Sequence, residues 1–534
     1  MALDDIDHVA ARLMQEANLP GLAIALTDRE KLLRVSTYGF ADVSARLCVA
    51  PDTLFEIGSI GKSFTSLILL QMRDEGKLDL HQPIQRYLPW FHVGSDDSPI
   101  TAHHLMNHTA GIIRGTDLAP HGLYEAWALR ETTASVPPGE YWHYSSLGYT
   151  LLGFLLEELT GQSYRDLIQD RILEPLGMSQ THPVITFATR QRVAIGYRDF
   201  YDDRPEHPSH GLAPAIWGEY GTGDGCQAST AEDMARYLRM LLNQGRGPHR
   251  RLVSEESFDL MVPPGDPSGV HQYGYALVAY PVDGHIYIGH EGVTSGYMSH
   301  IAVDMEAGLG VVFLGNRVGE INPTVPAAMH ALTVLRAAHH HQESPPRLPP
   351  ATDPSRVSNA ADYAGTYRAS DRTLQFRAEG ERLFLIYDGQ EVALERRAED
   401  CFYVGHPAFE LFLLEFKRSG EHVVELLHGS HGYLHNRYAG PQRFDYPAAW
   451  EPYPGHYRAS VPEFSNFRVA LRKGTLVLIL PSGVVEPLIP LGEGVFRIGE
   501  DHRSPETLRF DTEVEGLTLR AKYSGCPFYR TSTP

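Results

Sequence analysis

The stretch FEIGSIGKSFTS, residues 55–66, decides how the first part of this chain folds. Its GKS end suggests a phosphate-binding loop, but that loop requires a glycine where Glu56 stands, and a carboxylate would repel phosphate. A nucleophile elbow, G-x-S-x-G, requires a glycine at Ile57. The pattern that remains is S-x-x-K, formed by Ser59 and Lys62.

The apolar pattern after Ser59 predicts a helix over residues 62–75 that ends in a turn at Gly76. Side chains three residues apart share a helix face, so the Lys62 amine can reach the Ser59 hydroxyl. The positive end of the helix dipole also favours an oxyanion near Ser59. The pair suits a nucleophile and its base, although the same pattern arises when a serine caps a helix and the lysine is solvated.

Composition excludes several classes of function. A length of 534 residues leaves room for about three domains, and a net charge of −20 argues against a nucleic-acid partner, which needs clustered Lys and Arg. The N-terminus lacks a basic segment followed by an apolar run, and no apolar stretch approaches twenty residues. We therefore expect a cytoplasmic protein with no membrane partner.

The chain also offers few metal ligands. Its cysteines form no C-x-x-C pair and are expected to be buried free thiols; they are Cys48, Cys226, Cys401 and Cys526. The run His339–His341 borders a proline-rich stretch without a carboxylate or cysteine at ligand spacing, so we interpret it as solvated linker. No metal site is predicted.

A proline-rich segment, residues 342–355, marks the clearest domain boundary. Helices are predicted before it at 62–75, 146–160, 230–243 and 323–338. Short apolar runs predict strands at 21–28, 32–40, 273–280, 285–290, 299–305 and 310–316. Strands at both ends with helices between them indicate an α/β (α+β) domain with an antiparallel sheet.

The chain after this segment contains a repeat. Residues 363–370, YAGTYRAS, and 453–460, YPGHYRAS, are identical at six of eight positions, and each opens a series of short alternating strands. Two small closed antiparallel β-barrels are predicted, since closure removes exposed strand edges. The domains are then 1–341, a linker at 342–358, and barrels at 359–445 and 446–534, the barrels shaping the substrate site or oligomerising rather than catalysing.

Two further segments offer groups that a serine nucleophile needs. In PPGEYWHYSSLGYTLLG, residues 137–153, Tyr144 precedes a predicted helix, and a phenol near Lys62 can relay a proton to the leaving group. In GHEGVTSGYMS, residues 289–299, His290 and Gly292 lie on a predicted inner strand, where a glycine lets a substrate backbone approach. A single tyrosine or histidine usually has a packing role, so the three motifs indicate a catalytic site only when they are taken together and in this order along the chain.

In that order, Ser59-x-x-Lys62, Tyr144-Ser-Ser146 and His290-Glu-Gly292 resemble the S-x-x-K, Y-x-N and K-T-G motifs of the serine β-lactamase and penicillin-binding-protein superfamily. The H-x-G form resembles the branch of D-aminopeptidases and class C-like esterases. Three stretches also look like that branch: ITAHHLMNHTAGI (100–112), RILEPLGMSQT (171–181) and ASTAEDMARYL (228–238). A catalytic domain followed by two lipocalin-like barrels is similar to the three-domain D-aminopeptidases.

The resemblance implies roles for individual residues. Ser59 is the acylated nucleophile, Lys62 its base or proton partner, Tyr144 a second proton shuttle, and His290 the counterpart of the third-motif lysine. No metal or organic cofactor is implied, since side chains and backbone amides suffice for each step.

The resemblance also implies a substrate-binding set. The amides of Ser59 and Val293 form the oxyanion hole, and Gly292 and Ser146 lie against the substrate. Ser146 departs from the family, where asparagine is common, because a hydroxyl cannot both donate to and accept from a substrate amide as a carboxamide does.

The function implied is a serine hydrolase that forms an acyl-enzyme from a small peptide, amino-acid amide or ester, with a preference for D-configured residues. A carboxylesterase, a peptidase or cyclase for peptides containing D-residues, and a non-catalytic binding protein on the same fold are the alternatives. A substrate amine would face Asp117, Glu219 or Asp224, and Trp217 and Tyr220 would line the pocket. A homodimer is a further expectation from the resemblance.

Overall fold

The computed structural model describes residues 2–94, 99–115, 122–219, 221–225, 227–263, 272–320, 322–343, 345–346, 348, 352–460 and 464–532. These residues form two compact units. The first runs to Asp199 and resumes from Gly211 to the proline-rich segment, and the second contains Phe200–His210 and the C-terminal region. The predicted domain boundaries stay predictions.

The first unit combines helices with one large sheet. Its helices are α1 (Ala2–Glu16), α2 (Gly61–Asp74), α3 (Ala102–Met106), α4 (Gly122–Ala128), α5 (Ser146–Thr160), α6 (Tyr164–Ile168), α7 (Glu174–Leu176), α8 (Phe187–Arg190), α9 (Ala231–Leu242), α10 (Glu255–Met261) and α11 (Thr324–His339). Its strands are β1 (Gly21–Asp28), β2 (Leu32–Asp42), β3 (Leu47–Cys48), β4 (Phe55–Glu56), β5 (Tyr197–Asp199), β6 (Leu212–Pro214), β7 (Ala228–Ser229), β8 (Gln272–Tyr273), β9 (Val278–Val282), β10 (His285–Thr294), β11 (Tyr297–Asp304) and β12 (Leu309–Gly315).

The large sheet is antiparallel, with strand order β3-β2-β1-β12-β11-β10-β9-β8. Both faces of its central strands are buried, and side chains alternate between two cores. Leu22 and Ile24 of β1 face α1 and α11, whereas Ala23 and Ala25 face the larger helical layer that contains α2, α5 and α9. The predicted antiparallel α/β fold is confirmed, and the sheet joins the first and last segments of the unit.

The four predicted helices are present, and their ends follow local signals. Ser145 caps α5 by accepting a hydrogen bond from the Gly148 amide, and Gly161 ends the helix with a left-handed φ of 66°. Thr230 caps α9 by accepting from the Asp233 amide. These caps explain why the helix bounds were predictable from sequence.

The predicted strand at 273–280 is wrong as a continuous element. The structure divides it into β8, which ends at Tyr273, and β9, which begins at Val278. Between them the Gly274 amide donates to the Leu277 carbonyl at 2.8 Å, and Ala276 takes a φ of 61°. The tight turn interrupts the apolar run, which had no sequence signal other than the glycine.

Two smaller expectations also require correction. Cys48 is exposed, because it lies on the two-residue edge strand β3, and Cys401 and Cys526 are partly exposed. Cys226 lies outside the described residues. His339 is the last residue of α11 rather than part of a linker.

The second unit contains two closed eight-stranded antiparallel barrels, as predicted. A short helix, α12 (Ala360–Tyr363), precedes the first barrel. That barrel consists of β13 (Gly365–Arg368), β14 (Thr373–Glu379), β15 (Arg382–Tyr387), β16 (Gln390–Ala398), β17 (Cys401–Val404), β18 (Leu414–Ser419), β19 (His422–His428) and β20 (His431–His435). The second consists of β21 (Gly455–Arg458), β22 (Asn466–Arg472), β23 (Thr475–Ile479), β24 (Val485–Gly492), β25 (Val495–Ile498), β26 (Thr507–Val514), β27 (Leu517–Tyr523) and β28 (Cys526–Arg530).

The repeated sequence has a structural cause. In the first copy the buried Tyr367 hydroxyl donates to the Tyr363 carbonyl at 3.0 Å, and in the second copy Tyr457 donates to the Tyr453 carbonyl at 2.7 Å. Each hydrogen bond links the residues just before a barrel to the first strand of that barrel. The two tyrosines of the motif therefore act as a matched pair in both barrels.

The segment Phe200–His210, between β5 and β6 in sequence, belongs to the second unit. His210 Nε2 lies 3.0 Å from the Tyr403 hydroxyl, the Arg204 guanidinium contacts Glu410 at 2.9 Å, and the Ser465 hydroxyl donates to Asp202 at 2.8 Å. No sequence pattern indicated that this segment contacts both barrels.

Among the described residues, no helix is both long and apolar enough to cross a membrane.

We expect Tyr457→Phe to destabilise the second barrel by about 1 kcal/mol, because it removes a buried hydrogen bond while keeping the ring. Tyr367→Phe should have a similar effect on the first barrel. Calorimetry of the full chain measures both, with Tyr446→Phe, at an exposed position, as the control. Unchanged barrel transitions in both variants would contradict the proposed role of the repeat.

Candidate active site

The centre of the candidate site is the pair predicted from the first motif. A short 3₁₀ turn, Gly58–Ile60, leads into α2 and carries Ser59. The Lys62 amine donates to the Ser59 hydroxyl at 2.9 Å and to the Asp224 carbonyl at 2.8 Å. Lys62 is fully buried, whereas Ser59 is partly exposed, so substrate can reach the hydroxyl while the amine is shielded from water.

Close backbone contacts hold Ser59 in place. A Cβ on Gly225, whose φ is 140°, would lie 2.2 Å from the Gly58 carbonyl oxygen and 3.1 Å from the Ser59 amide nitrogen. The loop that supplies the Asp224 carbonyl to Lys62 therefore rests directly on the serine turn. A side chain at residue 225 would push the two apart.

Strand β10 contacts the serine turn from the other side. A Cβ on Gly292 would lie 2.0 Å from the Ile57 carbonyl, which also accepts a hydrogen bond from the Ser299 hydroxyl at 2.9 Å. Gly292 thus has a packing reason to be glycine, in addition to the substrate approach that we predicted. The Val293 amide nitrogen is 2.7 Å from the position of a Cβ on Gly58, so the second predicted oxyanion amide lies beside the serine turn.

Among the described residues, no strand pairs with the part of the β10 edge next to these groups. Pairing between β10 and β9 ends at Gly289, whereas β10 continues to Thr294. Unpaired backbone groups at a strand edge can bind an extended substrate. Val293, 41% exposed, lies on this edge.

Tyr144 also lies beside Lys62. The Lys62 amine is 5.2 Å from the centre of the Tyr144 ring, and the Arg114 guanidinium is 5.8 Å from it. The ring packs against His108, with 4.3 Å between centroids. The second motif is therefore brought to the first, as the sequence predicted.

The two serines after Tyr144 have different positions. The Ser145 hydroxyl caps α5 and donates to the Ile113 carbonyl at 2.7 Å, which is a structural role. Ser146 is the first residue of α5 and is buried, and its carbonyl accepts from Thr150 at 3.4 Å. Ser146 occupies the second-motif position that we expected to contact substrate.

His290 lies on β10 and is buried. Its Nδ1 is 2.5 Å from the Glu291 carbonyl oxygen and its Nε2 is 2.9 Å from the Tyr273 hydroxyl. Burial lowers the pKa of His290 to about 4, and the charge of Lys62 acts in the same direction. The third-motif histidine is therefore a neutral imidazole near pH 7.

Two residues of this site were missed by sequence reasoning. Tyr273 contacts His290, and His108 packs between Tyr144 and Tyr273. His108 Nδ1 accepts from the Ser145 amide at 3.1 Å, and burial holds the pKa of His108 well below its usual range. His108 lies in the stretch MNHTAGI quoted above, which was a signal for it, whereas nothing in the sequence singled out Tyr273.

The predicted pocket residues that the structure describes lie in two places, with Asp224 beside Lys62 and with Glu219 and Trp217 beside Phe187. The Thr150 hydroxyl donates to the Asp224 carboxylate at 3.2 Å, next to the carbonyl that binds Lys62. Glu219 instead accepts from the Phe187 amide at 2.6 Å, and the Trp217 ring lies 6.2 Å from that of Phe187. Asp117 and Tyr220 lie outside the described residues.

Within the described part of the chain, no group of three or more His, Cys, Asp or Glu side chains could hold a metal ion.

Comparisons with known proteins agree with this geometry. A family model described as Beta-lactamase matches residues 6–336. Protein flp of Staphylococcus aureus strain MW2 is 25% identical over 331 residues, which cover 60% of this chain and 64% of that protein. Penicillin-binding protein 4 of Amycolatopsis lactamdurans is 29% identical over 324 residues, covering 57% of this chain and 82% of that protein.

One solved structure extends the likeness further along the chain. The octameric penicillin-binding protein homologue from Pyrococcus abyssi has a TM-score of 0.57 and 26% identity, and the match covers 81% of this chain and 100% of that one. The family model spans the whole region that carries Ser59, Lys62, Tyr144 and His290. With its three motifs gathered at one site, this chain belongs to the beta-lactamase family, whose serine hydrolases include the penicillin-binding-protein-like enzymes.

Proposed function

We propose that the chain hydrolyses small peptides or amino-acid amides through an acyl-enzyme at Ser59, with a preference for a D-configured acyl residue. The observation that carries the proposal is the buried Lys62 amine, 2.9 Å from the Ser59 hydroxyl. A nucleophile held against a shielded amine has the geometry of an activated serine.

The mechanism uses the groups gathered around that pair. Lys62 acts in its neutral amine form: the Ser59 hydroxyl oxygen attacks the substrate carbonyl carbon, and the hydroxyl proton passes to the lone pair of the Lys62 nitrogen. The amides of Ser59 and Val293 stabilise the oxyanion of the tetrahedral intermediate. Tyr144, beside Lys62, delivers a proton to the leaving nitrogen. Water then attacks the acyl-enzyme by the reverse route and releases the acid.

Support for a D-configured peptide substrate comes from likeness. The relative from Amycolatopsis lactamdurans is named a penicillin-binding protein. The order of one catalytic domain and two closed barrels is the feature by which the sequence resembles the three-domain D-aminopeptidases. For a substrate with a free amine, we propose the Asp224 carboxylate as the partner, because the backbone carbonyl of the same residue contacts Lys62.

A carboxylesterase is the second candidate, and Ser146 favours it. An asparagine at that position offers both a donor and an acceptor to a substrate amide, whereas the hydroxyl of Ser146 is shorter and makes fewer contacts. An ester has no amide N–H, so it gives up fewer hydrogen bonds than an amide when serine replaces asparagine at this position.

We expect Ser59→Ala to abolish labelling by a fluorophosphonate probe, and Lys62→Ala to slow it by roughly 10²- to 10⁴-fold, because the serine loses its proton acceptor. The labelling rate of the purified chain measures both effects. Lys77→Ala, which alters an exposed lysine just beyond α2, is the matched control and should label like wild type. Labelling that survives Lys62→Ala unchanged would refute the mechanism.

Substrate choice is tested with D- and L-alanine p-nitroanilide beside p-nitrophenyl butyrate. We expect kcat/KM for the D-anilide to exceed that for the L-anilide at least tenfold, equivalent to about 1.4 kcal/mol of transition-state binding. Ser59→Ala should remove both activities. Rapid ester cleavage with both anilides untouched would instead favour the carboxylesterase.

A further inference from the structure

Both ring nitrogens of His290 are occupied by groups of the protein itself. The Glu291 carbonyl can only accept a hydrogen bond, so Nδ1, 2.5 Å away, carries the hydrogen. The Tyr273 hydroxyl lies 2.9 Å from Nε2. The remaining question is which of these two atoms donates.

The pKa shifts of Tyr273 and His290 identify the donor. Burial raises the pKa of Tyr273 well above its usual value, so Tyr273 keeps its proton. Burial also lowers the pKa of His290 to about 4, so Nε2 carries a lone pair near pH 7. The phenol donates and the imidazole accepts, and His290 then has no N–H left for a substrate.

The position of Tyr273 is itself constrained. The Tyr273 ring packs against His108 with 4.7 Å between centroids, against Trp142 with 6.0 Å, and against Tyr144 with 6.4 Å. Tyr273 is also the last residue of β8, which pairs with β9. The donor to His290 is therefore held in place before any substrate arrives.

We propose that Tyr273 determines the leaving-group specificity of the site: by donating to His290 Nε2 it keeps the third-motif side chain neutral and without a free N–H, so the site favours leaving groups that lack a carboxylate. This inference rests on the proposed Ser59 hydrolase. An ammonium or imidazolium at that position would offer charge and N–H donors to a terminal carboxylate, and the locked imidazole offers neither. Amides, anilides and esters should be preferred over peptides with a free C-terminus.

Several titratable groups surround His290, each from a different element. Lys62 approaches from α2, His108 from the loop after α3, Tyr273 from β8 and His300 from β11. Burial lowers the pKa of His300 to about 3 and that of His108 well below its usual range. A histidine signal that titrates only in the Tyr273 variant and is lost in His290→Gln would therefore belong to His290.

Tyr273→Phe tests the proposal, because it keeps the ring and removes only the donor. Without that hydrogen bond to its neutral form, His290 should titrate at a higher pH. A raised pKa means that the imidazolium is populated as the pH falls, and its N–H can then bind a carboxylate. Tyr287→Phe is the control, since Tyr287 is buried on β10, the strand of His290, but faces the core on the other side of the sheet.

The kinetic experiment compares D-alanyl-glycine amide with D-alanyl-glycine from pH 7.5 to 5. For the wild type and for Tyr287→Phe we expect kcat/KM to favour the amide, with a ratio independent of pH. For Tyr273→Phe the ratio should shift toward the free carboxylate by roughly tenfold as the pH falls, because a charge-assisted bond becomes available. An unchanged, pH-independent ratio in Tyr273→Phe would overturn the proposal.

A second measurement does not depend on activity. In the chain labelled with ¹³C at histidine Cε1, the His290 signal is assigned by its loss in His290→Gln. In the wild type it should not titrate above pH 5, and in Tyr273→Phe it should. Titration of wild-type His290 above pH 5 would overturn the inference. The expected titrations without hydrolysis of any substrate would support the hydrogen bond from Tyr273 to His290 but refute the proposed hydrolase function.

Discussion

The site depends on one buried amine. Lys62 has no exposed surface, so its amine needs protein acceptors in place of water, and the Ser59 hydroxyl and Asp224 carbonyl are two of them. The Asp224 loop must therefore lie close to α2. Thr65 on α2 donates to the Gly223 carbonyl at 2.6 Å, and Thr150 on α5 donates to the Asp224 carboxylate, so two helices hold the loop against the lysine.

The sheet supplies the other half of the site. Strand β10 contacts the serine turn at Gly292 and continues beyond the end of its pairing with β9, so no described strand pairs with this edge beside Ser59. The same strand carries His290, which is hydrogen-bonded to Tyr273. The Tyr273 ring in turn packs against the rings of His108, Trp142 and Tyr144. The proposed nucleophile, oxyanion amides and specificity residues are thus brought together by contacts among the serine turn, α2, the start of α5, β8 and β10.

Sequence reasoning succeeded where a residue's position follows from local periodicity or from a motif. Ser59, on the turn before α2, lies beside Lys62 on the first turn of α2, and Tyr144 precedes a capped helix. Sequence reasoning failed where the structure depends on a turn or a contact that no local pattern marks. The run from Tyr273 to Tyr280 looked like one strand, but the turn at Gly274 to Leu277 divides it. Nor did any local pattern indicate that Phe200–His210 belongs with the barrels or that Tyr273 contacts His290.

The sequence by itself determined the helices, the antiparallel α/β class and the two barrels, and it singled out Ser59 and Lys62 as the proposed acylation pair, because hydrophobic period, caps and motif spacing are local properties of the chain. Only the tertiary structure decided which groups face that pair. Tyr273 is 17 residues from His290, and Asp224 is 162 residues from Lys62. Such contacts depend on how strands and loops pack, and no local pattern encodes them.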